Sequence, residues 1–112
     1  MTLKIDDLTL MLAHVPGETD DHLYVWIPEK KVVMVGDNFY RSFANLYAIR
    51  GTKFRNPMEW VHSLDKIRLL NAEHLVPSHS RPISGEENVS KALTDYRDGI
   101  QFVHDQTIRY IN

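Results

Sequence analysis

Glu18, Asp37 and His79 are the residues of this 112-residue chain whose types and settings could do metal chemistry. Each lies in a short polar cluster: Pro16-Gly17-Glu18-Thr19-Asp20-Asp21, Gly36-Asp37-Asn38 and Pro77-Ser78-His79-Ser80. Each cluster follows a strand-like segment, and mixed or parallel sheets gather ligand sites where strands end. Carboxylate oxygen and imidazole nitrogen bind divalent cations at about 2.0–2.2 Å, so three such groups on separate turns can clamp an ion and leave a position open. The plainer reading is that each is a surface or capping residue, and residue type alone does not separate the two. Because the chain has no cysteine, a metal here must use His, Asp and Glu, and no disulfide framework exists.

Between the second and third clusters, Asn45, Tyr47 and Arg50 present an amide, a phenol and a guanidinium. The fixed fork of donors on Arg50 suits an oxyanion, and it equally suits a salt bridge. Arg81, beside His79, carries the same two readings. The remaining histidines, His14, His22, His62, His74 and His104, read as structural. His62 lies on a helix with no second ligand at metal spacing, His22 starts a strand, and His104 beside Asp105 reads as a buried polar lock.

The elements that must position these groups follow from periodicity. Leu8 to Ala13 reads as a strand with at least one buried face, broken by Pro16-Gly17. His22 to Ile27 is rich in β-branched and aromatic residues, Pro28 to Lys31 is a tight turn, and Val32 to Val35 is a short apolar run ended by Gly36. These three strands are expected to form a meander. From Asn38 to Arg55 there is no clean period, and an ordered loop with short helical turns is expected, since loops of this length in compact domains are usually functional. Asn56, Pro57 and Glu59 give an N-cap, a first-turn proline and a capping-box acid for a helix to about Leu70. Glu73 to Val76 is a brief strand. Ser84 and Glu87 form a second capping box, and Val89, Ala92, Leu93, Tyr96, Ile100, Val103 and Ile108 continue a long amphipathic helix.

Composition excludes several classes. Apolar residues at 43% and charged residues at 25%, without low-complexity tracts, describe a folded domain rather than a disordered chain. A net charge of −2 with scattered basic residues offers no footprint for nucleic acid or an anionic membrane surface. No window approaches the roughly 18 uninterrupted apolar residues of a membrane span, and residues 1–7 lack an apolar signal core. Localisation is left unassigned.

Taken with their neighbours, these clusters resemble the metallo-β-lactamase-fold hydrolases, and within them the alkylsulfatase branch. In the broader family a His occupies a Pro-Gly-His-Thr turn, an Asp follows a strand in a Gly-Asp step, and a last His lies in a Pro-Ser-His turn. Here the first turn reads Gly17-Glu18-Thr19, a carboxylate for imidazole change similar to that of the alkylsulfatase branch. Gly36-Asp37-Asn38-Phe39-Tyr40 through Asn45-Leu46-Tyr47-Ala48-Ile49-Arg50-Gly51, Val76 to Pro82, and Tyr96-Arg97-Asp98 through His104-Asp105-Gln106-Thr107 continue the likeness over nearly the whole chain.

The resemblance implies an α/β fold: the C-terminal half of an αββα sandwich, with a mixed sheet covered on one side by helices starting near Pro57 and Glu86. Residues 85–112 would lead towards a dimerisation region, and the full-length protein would be a homodimer. Glu18 would ligate one zinc ion, Asp37 would bridge two, and His79 would ligate the second. Asn45 and Arg50 would hold the sulfate of an alkyl sulfate ester, with Tyr47 lining the pocket. Asp37 departs from members that carry a Glu there. The family's first metal motif, His-x-His-x-Asp-His, occurs nowhere in these residues, so the site is expected to be complete only with an upstream half, and Met1 to be an internal methionine. For the full-length protein the resemblance leaves secretion or a periplasmic location open. Two further readings stay open: hydrolysis of another ester, thioester or lactam on the same fold, or a truncated non-catalytic module that binds metal weakly or docks a partner. The uncovered sheet face is expected to expose Leu8, Leu10, Leu12, Val33 and Val35.

Overall fold

The computed structural model describes residues 1–44, 46 and 55–111. Its six strands are β1 (Thr2–Ile5), β2 (Leu8–His14), β3 (Leu23–Ile27), β4 (Val32–Gly36), β5 (His74–Pro77) and β6 (Ile83–Ser84). They form one sheet in sequence order, with β4 and β5 parallel and every other neighbouring pair antiparallel. Two helices, α1 (Pro57–Arg68) and α2 (Glu86–Ile111), complete the α/β fold. The expected mixed sheet and both helices are present. Strands β1 and β6 fall outside the sequence reading: β1 alternates polar and apolar residues over only four positions, and β6 is two residues long.

The polypeptide's local chemistry explains the boundaries. Asn56 caps α1 by accepting from the backbone N–H of Met58 (3.0 Å) and Glu59 (3.3 Å), with Pro57 at the first helical position. The turn between β3 and β4 is a 3-10 turn over Pro28–Lys30, closed by Lys31 in the left-handed region. At the start of α2 the expected capping box does not form. The Ser84 hydroxyl is hydrogen-bonded to His74 Nδ1 (2.9 Å), because Ser84 belongs to β6 and pairs across to β5.

Strand parity decides which face is covered. Val33 stands opposite Trp26 on β3 and Leu75 on β5, and all three are buried with Val35 beneath Trp60, Val61, Leu64 and Ile67 of α1 and Val89, Leu93 and Ile100 of α2. Met34 stands opposite Val25, which stands opposite Leu12, on the other face. That face is bare: Leu3, Ile5, Leu23 and Met34 are 44, 58, 43 and 43% exposed, and Leu8, Leu10 and Leu12 are half-buried. The expectation for Leu8, Leu10 and Leu12 therefore holds, and that for Val33 and Val35 is corrected. A run that is apolar at four successive positions carries no parity of its own, so only its register against Trp26 and Leu75 sets which side chains turn inward.

Two polar devices tie the layers together. Asn38, wholly buried, donates from Nδ2 to Val15 O (2.7 Å) and accepts at Oδ1 from the Glu18 N–H (3.0 Å). Its own carbonyl accepts from Trp60 Nε1 (3.0 Å), and Ser63 of α1 donates to Pro16 O (2.6 Å). Gly17 sits against this knot; a Cβ there would lie 2.8 Å from Trp60 Cδ1 and collide with the Asn38 amide. The second device joins the helices: Asp65 of α1 accepts from Arg97 of α2 (2.7 Å) and from Arg68 (2.9 Å). Partial burial pushes the Asp65 carboxyl up, but hydrogen bonds and charge from Arg97 and Arg68 outweigh it, and the pKa falls below 3.8.

Urea melts test the parity: Met34→Lys is expected to change stability by less than about 0.5 kcal/mol and to reduce self-association, whereas Val33→Ala costs about 2 kcal/mol. Equal losses would refute the assignment of faces. Asn38→Ala, which strands the Val15 carbonyl and the Glu18 N–H, is expected to cost about 2–4 kcal/mol; Asn38→Asp, unable to donate to Val15, should not restore it. For Asp65 the depressed folded pKa stabilises the protein above 3.8, and this contribution disappears as pH falls through the folded value. Half-exposed, the cluster is worth about 1 kcal/mol, so thermal melts of Asp65→Asn should lie below the parent at pH 7 and converge with it in strong acid.

Candidate active site

Strand direction brings the three sequence clusters to one edge. Strand β2 is antiparallel to β3, β3 is antiparallel to β4, and β4 is parallel to β5, so β2, β4 and β5 all run the same way. Their C-terminal ends lead into Val15 to Glu18, into Asp37, and into Ser78-His79. The three donors line one open cleft of about 490 Å3, together with Tyr40, Arg41, Ser42 and Ser80. A larger groove of about 890 Å3 lies between the end of α1 and the start of α2. It contains no histidine and none of the donors singled out by sequence, so the smaller cleft is the candidate site.

Asp37 and His79 touch. His79 Nδ1 is hydrogen-bonded to Asp37 Oδ1, leaving the other ring nitrogen for a further partner. Gly36, at φ +57°, lets the chain turn out of β4 to place Asp37. A Cβ at Gly36 would also lie 2.6 Å from His22 Nε2, the atom through which His22 donates to Val35 O (2.8 Å). His22 is thus a structural residue, as expected. His62 is exposed on α1. His104 bonds Asp105 beside it on the same helix (3.1 Å) and ties α2 to no other element through that contact.

Glu18 lies deeper than the other two. Its backbone N–H is held by Asn38, and its Oε1 pairs with Arg55 Nη2 at 2.8 Å, both side chains being mostly buried. Its Oε2 is buried with no hydrogen-bond partner among the described residues. Burial pushes the Glu18 carboxyl up, and the nearby Asp37 charge adds to this. Arg55, His22 and His79 pull it back without cancelling the rise. Beneath the cleft, Tyr96 packs on Phe39, Tyr40 and Trp60 with ring centroids 4.9, 6.3 and 6.2 Å away. Its hydroxyl is also buried without a partner, and burial, with Tyr40, Glu18 and Asp37, holds it firmly protonated.

These residues fit a divalent cation. An orphaned, buried carboxylate oxygen is a costly group that a cation satisfies, and a donor set of carboxylate oxygen and imidazole nitrogen is of the type zinc accepts. Among the described residues no three His, Asp or Glu side chains stand close enough to hold an ion by themselves. The structure therefore joins Asp37 to His79 and places Glu18 in the same cleft, without closing a three-residue cage.

The expected sulfate-side residues Asn45, Tyr47 and Arg50 lie outside the described residues. Of the expected loop between Asn38 and Arg55, residues 38–44, 46 and 55 are described and contain no helical turn. Sequence reasoning gave no site role to Asn38, Arg55 or Arg41, and placed Tyr96 only on the apolar stripe of the second helix. Asn38 could have been flagged as the third residue of Gly36-Asp37-Asn38, whereas nothing local distinguishes Arg55 from any surface arginine.

Comparison with known proteins gives the family. Residues 2–79 match the Metallo-beta-lactamase superfamily. The chain is 39% identical over 109 residues to a linear primary-alkylsulfatase of Pseudomonas sp. (strain ATCC 19151), covering 96% of this chain and 21% of that protein. It is 28% identical over 112 residues to an alkyl/aryl-sulfatase of Saccharomyces cerevisiae, covering 96% and 17%. In three dimensions it superposes on a stereoselective inverting sec-alkylsulfatase from Pseudomonas sp. with a TM-score of 0.91 and 23% identity, over 100% of this chain and 18% of that one. The chain thus spans about a fifth of the length of the curated relatives it matches. With its mixed sheet, its two covering helices and donors at the ends of β2, β4 and β5, this chain belongs to the Metallo-beta-lactamase superfamily.

Proposed function

We propose that this chain forms part of the active site of a metal-dependent hydrolase that cleaves alkyl sulfate esters to an alcohol and inorganic sulfate. The observation that carries the reading is the cleft in which Glu18, Asp37 and His79, from three separate turns, present oxygen and nitrogen donors to one space. Similarity to alkylsulfatases along 96% of the chain supports sulfate esters as the substrate class. In this proposal the metal is zinc, two ions per complete site, and the donors these residues lack come from a segment carrying His-x-His-x-Asp-His.

When bound, such ions supply Lewis acidity, polarising a sulfate oxygen and lowering the pKa of water towards about 7. The protein's residues do the rest. Asp37 orients the His79 ring through Nδ1 and Arg55 fixes one oxygen of Glu18 while the other is left for the ion. In this reading, which the resemblance supports, Asn45 and Arg50 help to hold the sulfate group and Tyr47 lines the pocket. The reading includes a homodimer. Phe102, Ile108, Tyr110 and Ile111, exposed towards the end of α2, supply apolar surface for it. No helix among the described residues is long and apolar enough to cross a membrane.

In the complete protein, release of sulfate from a linear alkyl sulfate is expected to stop on chelation and return with zinc. Asp37→Ala should cost more than the roughly 10–100-fold typical of losing an outer partner of a metal ligand. Activity that survives both treatments refutes the metal-dependent reading. A parallel panel of lactam, thioester and carboxylic ester substrates distinguishes sulfate esters from the other chemistries of the fold.

A further inference from the structure

The His79 side chain is 73% exposed, so packing against neighbours does not hold it on Asp37. An exposed side chain gives up rotamer freedom on taking one orientation, and here the backbone that carries it must be held from both sides. On the near side the Ser78 N–H donates to Gly36 O (3.1 Å), continuing the parallel β4–β5 pairing just past the strands. On the far side, among the described residues, the contacts come from Arg41. Arg41, four residues after Asp37, donates its backbone N–H to Ser80 Oγ (3.2 Å), its Nε to Arg81 O (3.3 Å) and its Nη2 to Pro82 O (3.2 Å). The segments 36–41 and 78–82 are thus bridged at both ends, with the Asp37–His79 hydrogen bond between the bridges.

We propose that Arg41 is a positioning residue: its backbone and guanidinium hold the Ser80–Pro82 segment so that the His79 imidazole stays on Asp37. The guanidinium suits this role because its donors are fixed in one plane and reach two successive carbonyls at once, which a single ammonium on a flexible stem does not do. Its partners are neutral carbonyls rather than a carboxylate, so its charge is not neutralised by them at the edge of the cleft it lines. The hydrogen-bond geometry stands without a metal; the functional consequence rests on the proposed role of His79 as a ligand.

The test uses the full chain and its variants Arg41→Lys, Arg41→Ala and Ser80→Ala, with circular dichroism to confirm the fold. Long-range 1H–15N spectra of the His79 ring report the proton between Nδ1 and Asp37, and amide exchange reports the order of residues 78–82. We expect both Arg41 variants to weaken the Nδ1 signal and to speed exchange of that segment at least roughly tenfold, with α1 and α2 unchanged. Ser80→Ala, which removes only the acceptor of the Arg41 N–H, should have the smaller effect. Folded Arg41→Ala with an unaltered His79 spectrum overturns the proposal, as does full restoration by Arg41→Lys. Zinc titration separates the two readings. If zinc leaves the His79 ring signals of the complete protein, which carries the remaining donors, unmoved, the ligand assignment fails, while the brace is still judged by the exchange and the Nδ1 proton.

Discussion

The buried side chain of Asn38 is the constraint on which the site depends. It is a polar group with no access to solvent, so each of its hydrogen bonds is expensive to lose. Through its side chain it holds Val15 at the end of β2 and Glu18 beyond it, and through its carbonyl it holds the indole of Trp60 on α1. One residue thereby fixes the first candidate ligand to the turn that carries the second and to the helix that covers both. The close approach of Gly17 to this knot explains why a side chain would not fit there.

Strand direction supplies the other half of the arrangement. Parallel pairing of β4 with β5 sets the two strand ends side by side, which is why residues 42 apart in sequence meet as a hydrogen-bonded carboxylate and imidazole. The crossover between them runs through α1, and α1 packs its Trp60, Val61, Leu64 and Ile67 on the sheet face bearing Val33, Val35 and Leu75. Core packing and site assembly are therefore one event. The same helix is joined to α2 by the Asp65–Arg97 ion pair.

Electrostatically, the cleft collects anionic groups that the protein does not fully compensate. Glu18 is buried enough to resist ionisation, and Asp37 close by raises the cost further, while Arg55 provides the direct compensation. An orphaned Glu18 oxygen and a buried, firmly protonated Tyr96 hydroxyl remain beneath it. Unsatisfied buried polar atoms are rare in folded proteins, and among the described residues one lies on the turn after β2 and the other on α2.

Much of this was legible in the residues. Strands β2 to β5, the two helices, the Asn56 cap and the three donor clusters follow from local periodicity and turn chemistry, because those signals depend only on neighbouring residues. The family resemblance rested on short motifs that survive in order along the chain. Only the tertiary structure decided the rest. It set the inward face of Val32 to Val35, since an all-apolar run has no parity until a partner strand sets its register. It diverted Ser84 from a helix cap to His74, because β6 pairs with β5. It also recruited Asn38, Arg41 and Arg55, whose roles depend on hydrogen-bond or charge partners 20–41 residues away in sequence, and such partners leave no trace in local spacing.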